Sequence, residues 1–297
     1  MSYHNPVLLF ESIDGLEIVP DGIYVDVTFG GGGHAKEILK RLAPNGRLLA
    51  FDQDEDALRN TIDDERFVLI HENFRHIKRF LRFYGVKKVN GILADLGVSS
   101  HQFDQESRGF STRFDSDLDM RMSKNTALSA YEVINNYKEE ALSTVLFLYG
   151  ELRNARAMAK RLVESRNEQP IKTSFQLKDA LQCFLPKNKE HKIMAQVFQA
   201  IRIEVNQELE ALKEFLMQTE ELIVVGGKLS VISYHSLEDR LVKRFIRSGV
   251  FEGEPEKDFY GNSTVPFKKG KLIMPTPEEI KNNNRARSAK LRIATRI

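Results

Sequence analysis

Four consecutive glycines, Gly30 to Gly33, end the apolar run Ile23-Tyr-Val-Asp-Val-Thr-Phe and open a helical pattern at His34. Glycines in series cost backbone entropy, so such a run marks a place where side chains would obstruct something. At a strand-to-helix turn, that something is a nucleotide-like molecule lying on bare backbone at a helix N-terminus. Gly30-x-Gly32-x-x-Ala35 fits the dinucleotide fingerprint, and Asp52 lies 20 residues after Gly32, where an acid that takes ribose hydroxyls belongs. Asp26, four residues before Gly30, pulls the other way. A carboxylate there repels a pyrophosphate but suits a phosphate-free cationic donor such as S-adenosylmethionine, with the helix N-terminus facing the donor's own carboxylate. These residues favour methyl transfer, while a nicotinamide cofactor and a turn used only for close packing stay open.

Asp95 follows the apolar run Gly91-Ile-Leu-Ala. Aspartates before Gly and Ser are commonly turn or cap residues; here the alternative is a carboxylate beside the transferable methyl group. Tyr234-His235-Ser236 ends a later strand pattern, which a doubly wound sheet would bring beside Asp95. His235 is thus either a capping histidine or part of the chemistry. No metal site is expected, because the seven histidines show no i, i+4 pairing and the single cysteine, Cys183, offers no partner set. Lys281, Arg285, Arg287, Lys290, Arg292 and Arg296 lie in a C-terminal stretch without an acid, one-sided enough to suggest phosphate contact. Arg153, Arg156, Lys160, Arg161 and Arg166 form a second basic group, which a solvated helix face also explains.

The elements that must position these groups alternate. Strands are predicted at Ile23–Val27, Arg47–Phe51, Phe67–His71 and Gly91–Ala94, with helices at Ala35–Leu42, Glu55–Ile62 and Phe74–Tyr84. This order implies a parallel sheet with ligands at the strands' carboxyl ends. From about Asp104 to Ile203 no strand is predicted, only a loop followed by helical periodicity, and the helix at Lys192–Ile203 is expected to continue through Glu220. The α/β pattern resumes with a strand at Lys228–Ser233 and a helix at Leu237–Ile246. A loop-rich tail then ends in a strand at Ala289–Thr295. The expected architecture is an α/β doubly wound domain, residues 1–104 and 204–297, interrupted by a helical insertion at 105–203. With 29% charged and 41% hydrophobic residues and a net charge of +2, the composition is that of a soluble globular protein and neither supports nor excludes nucleic acid. One cysteine, no signal-peptide pattern in Met1–Phe10 and no membrane-length apolar run make a cytoplasmic protein the default expectation.

The segments His4-x-Pro6-Val-Leu-Leu, the glycine loop through His34, Phe51-Asp52-x-Asp54, Asp95-Leu-Gly-Val-Ser-Ser-x-Gln102 and Arg108-Gly-Phe-Ser follow in order. Leu118-Asp-Met-Arg-Met, Gln199-Ala-Ile-Arg-Ile-Glu-Val-Asn, His235-Ser-Leu-Glu-Asp-Arg and Arg285-Ala-Arg-Ser-x-Lys-Leu-Arg complete the series. Together they make a chain that resembles the bacterial methyltransferases acting on the exocyclic N4 of a cytidine in 16S ribosomal RNA. The resemblance spans nearly the whole chain. It implies a class I (Rossmann-like) methyltransferase fold with a helical substrate-recognition insertion, S-adenosylmethionine as donor, and the small ribosomal subunit or its RNA as substrate. It assigns the donor site to Gly32, Gly33, His34, Asp52, Phe74, Asp95 and Gln102. His101 stands where the family usually has proline, Ala35 often is serine, and Asn284 replaces a proline. None of these departures removes a polar residue assigned to the donor.

For the chemistry, the cytosine amine is a weak nucleophile whose lone pair is delocalised into the ring, so acceptors for its protons and alignment with the methyl carbon would activate it. Asp95, or nearby carbonyls, is expected to orient the amine and His235 to accept a proton, with the base unpaired or flipped. A nicotinamide-dependent dehydrogenase and a catalytically silent ribosome-assembly factor are the competing classes; methyl transfer would exclude the second.

Overall fold

The computed structural model describes residues 6–255 and 265–297; His4 of the first motif lies outside the described residues. In chain order, α1 (Leu9–Asp14), β1 (Ile23–Asp26), α2 (Gly33–Arg41), β2 (Arg47–Asp52), β3 (Phe67–His71), α3 (Ile77–Phe83) and β4 (Val89–Asp95) come first. Six helices follow: α4 (Ser100–Asp104), α5 (Ala130–Asn136), α6 (Glu139–Leu148), α7 (Ala155–Glu168), α8 (Ser174–Ala180) and α9 (Glu190–Asn206). The chain ends with α10 (Glu208–Leu222), β5 (Ile223–Ser233), α11 (Ser236–Ser248), β6 (Phe267–Ile273), α12 (Pro277–Asn282) and β7 (Lys290–Arg296). It divides into two compact units, Met1–Gly97 with Leu209–Ile297, and Val98–Glu208.

The first unit is a seven-stranded sheet in the order β3-β2-β1-β4-β5-β7-β6. β1 to β5 are mutually parallel, and β7 runs antiparallel to both β5 and β6. This is the α/β doubly wound order that the sequence implies, with an antiparallel pair at one end. Successive strand residues alternate between two buried faces, as a parallel sheet covered on both sides requires. Val25, Leu49, Phe51, Ile92 and Ala94 join one core with Ile77 and Leu81 of α3, Phe215 of α10 and Phe245 of α11. Tyr24, Leu48, Ala50 and Leu93 join the other with Ile13 of α1 and Ile38 of α2. The strand order reverses where β1 lies between β2 and β4, so Asp26 and Asp95, at the ends of β1 and β4, flank the switch point where open α/β sheets bind ligands.

Three expectations change. Glu55–Ile62 is a 3-10 helix over Glu55–Asn60, N-capped by Asp54, which accepts from the Asp56 N–H at 3.1 Å. The long helix expected from Lys192 to Glu220 breaks at Gln207, whose φ of 50° ends α9 in the left-handed region. The tail holds a second strand, β6, paired antiparallel with β7. Its pattern Lys268-Lys-Gly-Lys271 hides it, because an edge strand exposed on both faces shows no hydrophobic alternation and carries lysines that discourage further pairing.

The second unit is helical around its own core, which includes Val133, Leu146, Leu162, Leu177, Val197 and Ile201. Three motifs interlock inside it. The Arg108 guanidinium, 5% exposed, donates to the carbonyls of Arg121 and Met122 at 3.1 and 3.2 Å. Asn206 accepts from the Met122 N–H at 2.7 Å and donates to the Met120 carbonyl at 2.8 Å. Buried Leu118, Met120 and Met122 plug the segment into the core. These residues hold backbone that lacks regular structure, which is why the spacing of Leu118-Asp-Met-Arg-Met matches no helical or strand period.

Candidate active site

The glycine loop is built by hydrogen bonds at the end of β1. The Val27 N–H donates to Leu93 O and the Phe29 N–H to Phe51 O, both at 2.9 Å, so the loop is stitched to β4 on one side and β2 on the other. Gly30 and Gly32 have φ of 50° and 74°, a region side chains rarely adopt. A Cβ on Gly32 would lie 2.9 Å from the Phe29 ring, and one on Gly33 would collide with the Pro6 ring. Gly32 caps α2 without a side chain, so the cap itself offers no side-chain acceptor to the first N–H groups of that helix.

Asp52, at the end of β2, closes the loop from the side. Its Oδ2 accepts from the Gly30 N–H and its Oδ1 from the Asp54 N–H, each at 2.8 Å. Each oxygen keeps a lone pair for a ligand hydroxyl. Burial pushes this carboxyl up to about 6, against the lowering effect of the two backbone bonds.

Asp26 is fully buried. Its Oδ1 accepts from the Thr28 N–H at 3.1 Å, and its Oδ2 has no hydrogen-bond partner. Burial raises it to about 6, with nearby His34 pulling it down and Asp95 and Asp52 pushing it up. A buried carboxylate oxygen without a donor is costly unless something cationic completes it.

Asp95 is tied from two directions. Its backbone N–H donates to Thr28 Oγ1 at 2.6 Å, and its Oδ1 accepts from the Tyr234 hydroxyl at 2.7 Å. Its Oδ2 lies 3.9 Å from His34 Nδ1. Burial lifts the carboxyl to about 7; the Tyr234 bond opposes that and Glu238 adds to it. Buried His34 has its Nε2 3.3 Å from the Val7 carbonyl. A carbonyl only accepts, so Nε2 carries the proton and Nδ1 faces Asp95 with a lone pair. Burial lowers the pKa of His34, while Asp26 and the Val7 carbonyl act against that.

His235 is the N-cap of α11. Its Nδ1 accepts from the Glu238 N–H at 3.4 Å, while Glu238 Oε2 accepts from the N–H groups of Tyr234 and His235 at 2.9 and 3.3 Å. Its buried Nε2 sits 3.1 Å from Glu238 Oε1 but off the line a hydrogen bond needs. β4 and β5 are neighbours, with Asp95 opposite Ile232, yet no hydrogen bond or ion pair joins His235 to Asp95. Tyr234 makes that contact instead. The residues missing from the sequence reading are Tyr234, Thr28 and Glu238, and the only signal for Tyr234 is a hydroxyl at a strand's carboxyl end.

Phe74 opens the 3-10 turn after β3 and meets Phe215 edge-on, with ring centroids 5.4 Å apart. Gln102, in the helical unit, is buried at the third position of α4, its Oε1 accepting from the Ser99 N–H at 2.9 Å. The C-terminal cations divide. Arg292 and Lys290 pair with Asp239 at 2.7 and 3.2 Å, and Arg296 donates to Glu220 O and Pro266 O, both at 3.0 Å. Those three hold the fold. In the helical unit Arg166 likewise donates to Ile134 O and Tyr137 O, both at 2.6 Å.

A loop of bare backbone, an acid holding that loop and an orphaned buried carboxylate at one switch point make a site for a polar ligand with a cationic part. The sequence model of the MraW methylase family matches residues 1–297. The chain belongs to the MraW methylase family. The ribosomal RNA small subunit methyltransferase H of Flavobacterium johnsoniae is 67% identical over 298 residues, covering 100% of this chain and 99% of that one. The protein of the same description from Cytophaga hutchinsonii is 56% identical over 297 residues, 99% of each chain. Membership in a methylase family removes the nicotinamide reading of the glycine loop, and the carboxylate at Asp26 is the physical reason that loop departs from a pyrophosphate site.

Proposed function

We propose that the protein transfers a methyl group from S-adenosylmethionine to the exocyclic N4 of a specific cytidine in the 16S RNA of the small ribosomal subunit. One observation carries the reading. The switch point presents two carboxylates with separate tasks: Asp26 with a buried oxygen lacking a partner, and Asp95 with one oxygen fixed by Tyr234 and the other unbonded. The first suits the donor's cationic part and the second the amino protons of the base. Likeness to ribosomal RNA methyltransferases along the full chain supports the RNA substrate.

When bound, the donor supplies an electrophilic methyl on a sulfonium and departs as a neutral thioether. Gly32, Gly33 and His34 would hold it along the loop, Asp52 at its ribose, Phe74 beside its adenine, and Asp95 near its reacting end. Asp95 Oδ2 accepts a hydrogen bond from N4–H and, in its ionised form, takes the proton that nitrogen loses. With its carboxyl near 7, most of it is ionised only above neutrality. His235 is the second candidate proton acceptor. The helical unit recognises the substrate, and the cytoplasm is where the subunit is found. Among the described residues no helix is long and apolar enough to cross a membrane.

The test is direct. Unmethylated small subunits, and separately their extracted RNA, are incubated with labelled donor and the product nucleoside is identified. N4-methylcytidine is expected; a different methylated nucleoside, or none from either substrate, overturns the reading. Labelling of the particle alone identifies the assembled subunit as substrate.

A further inference from the structure

The acid-free basic tail is sorted by the fold into cations that hold it together and cations that face outward, and the outward ones lie on the active-site edge. Lys290, Arg292 and Arg296 are paired internally, as described above. Arg287 and Lys281 are exposed, and among the described residues neither makes an ion pair. Their position follows from the strand register. Lys290 lies opposite Ser233 in the antiparallel β5–β7 pair, so the residues just before β7 sit beside Tyr234 and His235 at the carboxyl end of β5. Ile273 lies opposite Leu291 in the β6–β7 pair, which brings the end of β6, and α12 after it, to the same edge.

The turn that carries Arg287 is held firmly. Asn284–Ser288 is a 3-10 turn whose start is capped by Asn283, with Oδ1 accepting from the Arg285 N–H at 3.2 Å. Ala286 and Ala289, flanking Arg287, are fully buried in a cluster with Val7, Leu8, Ile232 and Leu291, and Tyr234 packs against that cluster. Tyr234 in turn bonds Asp95. Arg287 is thus held outward by a turn whose packed face touches the residue that orients the candidate catalytic carboxylate. Of the two acids between Pro277 and Ile297, Glu279 accepts from the Leu8 N–H at 2.7 Å and Glu278 pairs with neither cation.

We propose that Arg287 and Lys281 bind phosphates of the RNA strand flanking the target base. This rests on the RNA substrate proposed above and adds where the strand runs. Arginine on a rigid turn suits bidentate phosphate contact, and lysine at the end of α12 adds a point charge. Holding the backbone on this edge would keep the extruded base from sliding away from Asp95.

Arg287→Ala, Lys281→Ala and the double variant are compared with Lys88→Ala, which removes an exposed cation just before β4, at the opposite edge of the sheet. Filter binding to extracted RNA, KM for small subunits, and donor affinity are measured across a salt series. The double variant is expected to bind RNA and subunits about 10-fold more weakly at moderate salt, with a salt slope shallower by roughly 0.7 per lost contact. Its kcat at saturation and its donor affinity stay unchanged, Arg287→Glu is worse than Arg287→Ala, and Arg287→Lys recovers part of the loss. Wild-type affinity and slope in the double variant overturn the proposal, as does an equal loss in Lys88→Ala. Weakened binding to subunits with unchanged binding to extracted RNA also overturns it, because the partner on this edge is then a ribosomal protein. If the wild type forms no N4-methylcytidine, the functional reading has failed instead, and RNA binding still reads this surface independently.

Discussion

The Tyr234 hydroxyl donates to Asp95 Oδ1 at 2.7 Å, across the boundary between β5 and β4. The bond favours the ionised carboxylate and opposes the burial that lifts Asp95 to about 7. Tyr234→Phe keeps the ring in its packing cluster and deletes only the donor. The Asp95 pKa then rises further, so the acid limb of the kcat/KM–pH profile moves to higher pH while the plateau above it stays close to wild type. A pH–rate profile checks this; an unmoved limb would separate Asp95 from the proton accounting.

Asp95→Ala removes the acceptor for the amino protons. Methylation should fall by about 100-fold or more, with circular dichroism and melting temperature showing a folded protein. Near-normal turnover would remove Asp95 from the chemistry.

Asp26→Asn should trade function for stability. An aspartate raised from its ordinary value of 3.8 to about 6 in the folded state binds its proton more tightly when folded than when unfolded. Folding stability therefore falls as pH rises from about 4 to about 6, and the loss is complete above that. Removing the charge is expected to recover on the order of 2–3 kcal/mol at pH 7.5. Thermal melts should show the variant more stable than wild type at neutral pH and equal to it near pH 4. Donor affinity, measured by calorimetry, should drop at least 10-fold; unchanged affinity would break the link between this oxygen and the donor's cationic part.

Asp52→Asn puts an amide where two backbone N–H groups point, so one of the bonds to Gly30 and Asp54 is lost. Donor binding should weaken by about 10- to 100-fold, because both the loop and the ribose acceptor suffer. Equilibrium dialysis with labelled donor reads this directly.

His235 separates into cap and catalyst by choice of replacement. Asparagine is a good N-cap and alanine a poor one, so only His235→Ala should lose stability, by about 1 kcal/mol. If the ring accepts a proton, both variants lose rate with donor affinity retained. A wild-type rate in His235→Asn leaves the residue as the cap of α11.

Some of this was legible residue by residue. Asp26, the glycine loop and Asp52 are neighbours in sequence or one βαβ unit apart, so their spacing already describes a ligand site. The parallel strands read as short β-branched and apolar runs because both faces are buried. β6 did not, since an exposed edge strand carries no periodicity. The break at Gln207 was invisible because the apolar pattern continues on both sides of it, and a single left-handed residue leaves no compositional mark.

The sequence by itself thus determined the nucleotide-type turn, the α/β order with its helical interruption, and the carboxylates at the strand ends, since each follows from residues a few positions apart. Only the tertiary structure decided which side chains those carboxylates meet. Asp95 is held by Tyr234, 139 residues away, not by His235, and Asp239 neutralises Arg292 and Lys290, leaving Arg287 and Lys281 outward. Partnerships of that kind depend on strand register and helix packing across the whole unit, and no local pattern of residue types encodes them.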